Sequence, residues 1–163
     1  MHDHATMDAN DAVYGSLASC YVTINGRRLN FMSMIKFESK WDTKIVEVPI
    51  LGKVGLGHKV AGANGKWSGT AHYNQSYLRA VADTYQKTGV MPYFEIQVVN
   101  EDPTSVVGRQ TVILHGCLCE SFVLAKFEAG EDILDEELAG TYESWSMPEK
   151  FNELPGVEAG AAG

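Results

Sequence analysis

Apolar and polar residues alternate along several short segments of this chain, and that alternation most constrains its fold. Residues 33–41 read SMIKFESKW, with Ile35, Phe37 and Trp41 on one face of an extended chain and Lys36, Glu38 and Lys40 on the other. Residues 44–50 and 92–100 repeat the pattern. Because successive side chains of a strand point to opposite faces, a period of two predicts half-buried β-strands.

Turn signals separate these strands. Asn25-Gly26 lies between two extended segments, which is the strongest short hairpin signal. Pro49 cannot donate to a sheet ladder and predicts an edge or a strand end. We expect a kink or bulge near Gly116, between two strands drawn from residues 109–130, and an acidic connection over residues 131–140.

One segment has helical periodicity. Apolar side chains recur at Tyr77, Leu78, Val81 and Tyr85, and Gly89 supplies a stop. The chain is therefore predicted to be mainly β, a β-sandwich or barrel with one flanking α-helix over about residues 74–88.

The domain plan follows from composition along the chain. Residues 1–15 are polar and are expected to form a mobile N-terminal arm. Residues 16–152 form the β domain. Residues 153–163 end in a Gly/Ala-rich stretch and are expected to be a flexible tail.

Charge and cysteine content narrow the functional classes. The chain has 163 residues and a formal net charge of −8, which disfavours stable binding to nucleic acid. No apolar run is long enough for a membrane helix, so we expect no membrane association. Three cysteines are a poor basis for a disulfide framework and favour reduced thiols in a cytosolic setting.

A glycine-rich basic stretch, LGKVGLGHKVAGANGKWSGTAHY, covers residues 51–73. A phosphate-binding loop requires G-x-x-x-x-G-K-[ST] before a helix. Gly52 and Gly57 have that spacing, but the lysine is displaced by one position and no Ser or Thr follows it. A strand, KWSGTAHY, is expected to follow instead. The stretch is therefore predicted to be an extended β-hairpin arm over residues 51–66.

No other motif indicates an active site. His115, Cys117 and Cys119 share one face of a strand, but their spacing of about 6.6 Å does not suit one tetrahedral zinc. The HDH sequence at residues 2–4 could bind a divalent metal only weakly. We expect no catalytic residues, no metal and no cofactor.

An ordered series of segments resembles the tail tube proteins of contractile phage tails and phage-like bacteriocin particles of the PBSX type. The series comprises YVTINGRRL, MIKFESKW, the stretch from residue 44 to 73, YQKTGVMPYFEIQVVNEDP, GRQTVILHGC, LAKF and YESWSMPEKF. The matching residues of the arm segment are Glu47, Val48, Ile50, Gly52, Gly57, His58, Lys59, Gly62, Gly65, Gly69, Thr70 and Tyr73. The resemblance covers residues 21–151.

The resemblance implies an assembly protein. Six copies would form a ring, and rings would stack into a hollow tube inside a contractile sheath. The implied partners are further copies of the chain, a tail sheath protein, a baseplate or tube initiator and a tail terminator, with DNA only as transient cargo of the lumen. Assembly would take place in the cytoplasm of a bacterial host, before incorporation into a virion or a released particle.

Three sets of site residues are expected. The arm is predicted to be mobile in the free subunit and ordered between subunits or rings; its residues are Leu51, Gly52, Lys53, Val54, Gly55, Leu56, Gly57, His58, Lys59, Gly62 and Lys66. The lumen or inter-strand candidates are Lys36, Glu38, Lys40, Glu95 and Gln97. The candidates for contact with a sheath are Glu131, Asp132, Asp135 and Glu136.

Two other functional classes compete with the assembly protein. A β-barrel could hold a small molecule in an apolar interior. An enzyme dependent on a metal or a nucleotide could use residues 115–119 or the glycine-rich stretch.

Overall fold

A computed structural model describes residues 6–158 of the chain. Within this range it has eight β-strands, one α-helix and a short 3₁₀ turn at Ala9–Asp11. The strands are β1 (Ala18–Ile24), β2 (Arg27–Asn30), β3 (Met34–Val48), β4 (Gly57–His72), β5 (Phe94–Glu101), β6 (Arg109–Cys119), β7 (Asp135–Tyr142) and β8 (Ser144–Glu149). The helix α1 is Tyr77–Thr88.

Two antiparallel sheets share strand β6. The first sheet has the order β2-β1-β5-β6-β8, and the second has the order β6-β7-β4-β3. Residues up to His115 of β6 pair with β8, whereas Leu118 and Cys119 pair with β7. Between them Gly116 has a φ of 66°, which glycine adopts without strain. The expected kink and the mainly β fold with one helix are confirmed.

The sheets bury a core that is rich in aromatic side chains. Trp67 on β4 stacks on Phe37 and meets the ring of Phe94 edge-on, so the second sheet contacts the first. Leu78 and Val81 of α1 are buried in the same cluster. The helix begins after Ser76 and ends at Gly89, whose left-handed backbone lets its N–H reach the Tyr85 carbonyl oxygen.

Two expected strand boundaries are wrong. Residues 120–134 hold no strand, and the acidic segment expected to be a connection contains the start of β7. Leu138 and Tyr142 of β7 face the core, which pulls this segment into the sheet. Glu136 shares their face, and its charge hides the apolar alternation that would otherwise have identified the strand.

An ion pair fastens α1 to the second sheet and explains why Glu136 can be buried. Arg79 donates to the Glu136 carboxylate at 2.6 Å and to the Val123 carbonyl oxygen at 3.1 Å. Its guanidinium also lies 4.5 Å from the centre of the Tyr73 ring. Glu136 is only 6% exposed, so its charge would be uncompensated without Arg79.

Strands β3 and β4 extend beyond the end of β7, their neighbour in the second sheet. Their pairing runs from Met34–Ala71 to Val48–Gly57, but β4 pairs with β7 only from Gly65 to His72. The remaining ribbon, residues 43–63, pairs only with itself and extends from the body. We call this ribbon the arm and its connecting residues 49–56 the arm tip.

Tyr142 fixes the base of the arm. Its hydroxyl donates to the Lys40 carbonyl oxygen at 2.6 Å, and its ring stacks on Trp41. The ring also lies over Gly65, where a Cβ atom would come within 2.5 Å of it. Burial raises the pKa of Tyr142, so the hydroxyl stays protonated and able to donate over a wider pH range.

Close packing around Gly140 predicts that even a substitution by alanine destabilises the fold strongly. An added Cβ would overlap the Leu118 carbonyl oxygen and lie 2.7 Å from the Trp67 ring. Gly140→Ala should therefore lower the free energy of unfolding by about 3 kcal/mol. Chemical denaturation measures this, with Gly15→Ala as control because nothing lies within 4 Å of its Cβ position. Equal stability of the two variants would contradict the packing described.

The buried thiol of Cys117 predicts a pH dependence. Cys117 is fully buried, and burial raises the pKa of its thiol from 9.0 to about 12. In the unfolded chain the Cys117 thiol ionises near pH 9, whereas in the folded chain the same thiol keeps its proton. The contribution to stability is therefore complete below pH 9 and is lost as the pH rises towards 12. Replacing Cys117 by Ala should make the free energy of unfolding fall less steeply between pH 8 and 10.5, and an unchanged slope would refute this.

Candidate assembly surfaces

The arm exposes several apolar side chains to solvent. Leu51 and Val54 at the tip are fully exposed, and Leu56 is half exposed. Ile45 and Val60 form a cross-strand pair whose members are 61% and 56% exposed. Contiguous exposed apolar surface on a soluble domain marks a site of protein contact.

Strands β3 and β4 form a hairpin here, with boundaries that differ from the predicted residues 51–66. The returning strand begins at Gly57 rather than near Lys66, because residues 57–60 pair with Ile45–Val48. A register shift follows, where Gly62 has a φ of 137° that only glycine tolerates. Of the predicted arm residues, Leu51, Gly52, Lys53, Val54, Gly55 and Leu56 lie at the tip, Gly57, His58, Lys59 and Gly62 lie in β4, and Lys66 pairs with Lys40 in the body.

The arm differs in charge from the rest of the chain. Residues 44–60 contain Lys44, Lys53 and Lys59 and one carboxylate, Glu47, which gives a net charge of +2. Since the whole chain carries −8, the remainder carries −10. The arm is thus a basic projection from an acidic body.

The lumen candidates lie on two separate surfaces. Lys36, Glu38 and Lys40 are exposed on β3 at the edge of the second sheet, whereas Glu95 and Gln97 lie on β5 in the first sheet. Strands β6, β7 and β4 separate β5 from β3. The structure therefore does not bring the five residues together.

The solvent face of the first sheet carries a polar network that sequence analysis did not identify. His115 on β6 contacts the Glu95 carboxylate at 3.1 Å through Nδ1 and the Ser146 hydroxyl at 2.9 Å through Nε2. Arg28 on β2 lies 4.3 Å from the centre of the Tyr21 ring. His115 lies 20 positions from Glu95 and 31 from Ser146, so only strand register brings these three together.

The acidic candidates divide into two kinds. Glu131 and Asp132 are exposed, as expected. Asp135 is partly buried and contacts His72 Nδ1 at 2.9 Å. Glu136 is buried against Arg79. The prediction that Glu136 contacts a sheath is therefore wrong, because a side chain buried inside the domain cannot contact another protein.

The connection between β6 and β7 also exposes apolar side chains that the sequence analysis did not single out. Phe127 is 92% exposed, and Leu124 and Ile133 are 71% and 66% exposed. The exposed acids at Glu131 and Asp132 lie in the same connection. This surface therefore combines carboxylates with apolar anchors.

The described part of the expected N-terminal arm contacts the turn after β5. The Tyr14 N–H donates to Asp102, and the Val106 N–H donates to the Asp11 carboxylate. Hydrogen bonds from the Thr104 hydroxyl and N–H, followed by that from the Tyr14 N–H, lower the pKa of Asp102. Mobility of residues 1–15 stays a prediction. The HDH motif and residues 159–163 lie outside the described range.

The described residues 6–158 hold no group of three His, Cys, Asp or Glu side chains that could bind a metal ion. Cys117 and Cys119 are buried in the core. A cavity beneath α1, lined by Phe31, Tyr77 and Leu138, measures about 10 Å³, which is the room for one water molecule. No helix in this range is long and apolar enough to cross a membrane.

Comparison with known proteins supports the assembly interpretation. The family model described as phage tail tube protein matches residues 5–149. The protein XkdM of the phage-like element PBSX from Bacillus subtilis is 33% identical over 123 residues, which cover 75% of this chain and 84% of that protein. The uncharacterized protein YqbM from the same organism is 33% identical over 121 residues, covering 74% and 82%.

Solved structures share the fold at low identity. A chain in the six-fold symmetrised baseplate of the anti-feeding prophage aligns with a TM-score of 0.64 and 13% identity, covering 83% of this chain and 95% of that one. A chain in the sheath-tube complex of an extracellular contractile injection system aligns with a TM-score of 0.56 and 14% identity, covering 78% and 86%. These two likenesses concern the fold, whereas the family match spans most of the sequence. The chain belongs to the phage tail tube protein family and is a structural component of a phage-type tail.

Proposed function

We propose that this chain is the subunit of the inner tube of a contractile tail, with six copies in each ring and rings stacked into a hollow tube inside a sheath. Membership of the tail tube family supports the proposal. The similar solved chains come from a six-fold symmetrised baseplate and from a sheath-tube complex, which supports the ring and the sheath. The tube would serve as a conduit for DNA or as a piercing tube.

The exposed apolar arm is the observation that carries this proposal. In the free subunit, Leu51 and Val54 are fully exposed and the ribbon of residues 43–63 pairs only with itself. Contact with another copy would bury these side chains and order the arm. Ordering a mobile arm costs conformational entropy, which a large interface offsets.

The lumen would be lined by one of the two polar sheet faces. The face of the first sheet carries Glu95, Gln97 and the His115 network, whereas that of the second carries Lys36, Glu38 and Lys40. These two groups are therefore alternative linings of the lumen. The acidic body favours transient passage of DNA over retention, since carboxylates repel phosphates.

The connection between β6 and β7 is the proposed contact with the sheath. Glu131 and Asp132 would meet basic groups, while Phe127 provides an apolar anchor. A baseplate initiator and a tail terminator would contact the two ends of the tube. Assembly would take place in the bacterial cytoplasm, before incorporation into a virion or a released particle.

Removing the arm tests the proposed assembly role. Because Thr43 pairs with Ala63, residues 44–62 can be replaced by Asn-Gly, a two-residue turn that closes hairpins. The shortened chain should fold, since the removed residues lie outside the core, yet form no tubes by negative-stain electron microscopy. A control chain with residues 51–56 replaced by six Gly/Ser residues keeps the paired ribbon and lacks only the tip. Normal tubes from the chain without the arm would overturn its role.

Charge reversal tests the sheath contact. Replacing Glu131 and Asp132 by Lys should leave tubes intact but reduce the fraction that carries a sheath at least several-fold when both proteins are expressed together. Replacing the exposed Glu153 and Glu158 by Lys is the control, because it changes net charge equally at another place. Electron micrographs give the sheathed fraction. Full sheathing of the first variant would exclude the contact.

A further inference from the structure

We propose that the arm tip of one copy docks into an open groove of a second copy, between β1 and the start of β3. This inference rests on the proposed function and names the partner surface of the arm. We call this surface the acceptor groove. Its apolar lining includes Cys20, Phe31, Met32, Ile35, Phe37 and Val98.

The acceptor groove presents apolar side chains because of the local backbone. Phe31 N–H donates to the Cys20 carbonyl oxygen, which turns the chain after β2 so that Met32 is 79% exposed. A register shift between Met34 and Lys36 leaves Ile35 outside the regular ladder and 52% exposed. Between these rims, Phe31 is buried and Phe37 is partly buried. The groove is therefore a depression that its own chain does not fill, lined by these apolar side chains together with Ser16, Ser19, Asn30, Lys36 and Asn100.

The arm tip matches this depression in chemistry. Leu51, Val54 and Leu56 are its exposed apolar side chains, and three aliphatic groups on a narrow projection suit a groove rather than a flat surface. Gly52 and Gly55 separate them and add no side chain that would block approach. The contact would remove apolar surface of both partners from water.

A subunit is unable to fill its own groove with its own tip. Ile35 and Val48 lie near opposite ends of the same strand, and a rise of about 3.4 Å per residue places them roughly 40 Å apart. The occupant must therefore come from another copy. Because the two contacting surfaces differ, the contact is head-to-tail and each docked copy still offers a free tip or a free groove. Such a contact either closes a ring or propagates as an open stack, and a tube of stacked rings needs contacts of both kinds.

Charge supports the same pairing. The arm carries +2 through Lys44, Lys53 and Lys59, whereas the remainder of the chain carries −10. Glu101 follows Asn100 of the groove lining, and Asp11 lies in the N-terminal segment that leads to the groove at Gly15. Lys36 is the cation that lines the groove itself. The charge attraction is therefore between the basic arm and the acidic body as a whole, since the groove lining itself holds no carboxylate.

Two single substitutions and their mixture test the pairing. Val54→Asp disables the tip and keeps the groove, whereas Ile35→Asp disables the groove and keeps the tip. Val90→Asp is the matched control, since Val90 is 63% exposed and lies outside both surfaces. Circular dichroism checks that all three fold. Electron microscopy should show tubes for the control and none for either test variant alone.

Mixing the two test variants restores one intact tip and one intact groove. By sedimentation velocity, the equimolar mixture should form complexes larger than either variant forms alone. Tubes from Ile35→Asp but not from Val54→Asp would overturn the acceptor groove and leave the arm's assembly role standing. Tubes from both would overturn the arm's role as well, and a mixture no larger than its components would overturn the pairing.

Disulfide trapping gives a second measurement that does not depend on disabling either surface. A chain with Met32→Cys and Val54→Cys, in a background where Cys20 is replaced by Ala, should give a ladder of oligomers on oxidation. The control carries Val90→Cys with Val54→Cys and should give far less of the ladder. A monomer with an internal crosslink, or equal ladders from both chains, would overturn the proposed docking.

Discussion

Backbone pairing between β3 and β4 is the interaction on which the rest of this structure depends. Inside the domain, that pairing joins β3 to the second sheet and supports Phe37 and Trp67 in the core. Beyond Thr43 and Ala63 the same ladder continues without a third strand or a buried face. An isolated two-stranded ribbon has marginal stability in water, so its persistence depends on the anchored base.

Tyr142 supplies that anchor and couples the core to the arm. Its ring packs over Gly65 and against Trp41, while its hydroxyl holds the Lys40 carbonyl oxygen. The direction of the arm is therefore set by residues that belong to the folded domain. This arrangement suits an assembly subunit, because an anchored base leaves only the ribbon beyond Thr43 and Ala63 to be ordered on docking, which costs less entropy than ordering a free loop.

Local signals in the sequence were sufficient for much of the fold. Asn25-Gly26 does form a tight hairpin with positive φ at both residues, and the helix ends at Gly89 as predicted. The start of β7 could not be predicted in this way, since buried Glu136 interrupts the apolar alternation. Its partner Arg79 is 57 positions away, so no local pattern reveals that its charge is compensated.

For the candidate surfaces too, some features follow from local sequence and others depend on residues that are distant along the chain. The sequence by itself determined that the chain is mainly β with one helix and that its glycine-rich stretch belongs to a hairpin. Only the tertiary structure decided where the ribbon leaves the sheet, that Glu136 is buried, and that Met32 and Ile35 border a groove. The physical reason is that period and turn chemistry act between neighbouring residues, whereas burial and register depend on which distant strands meet.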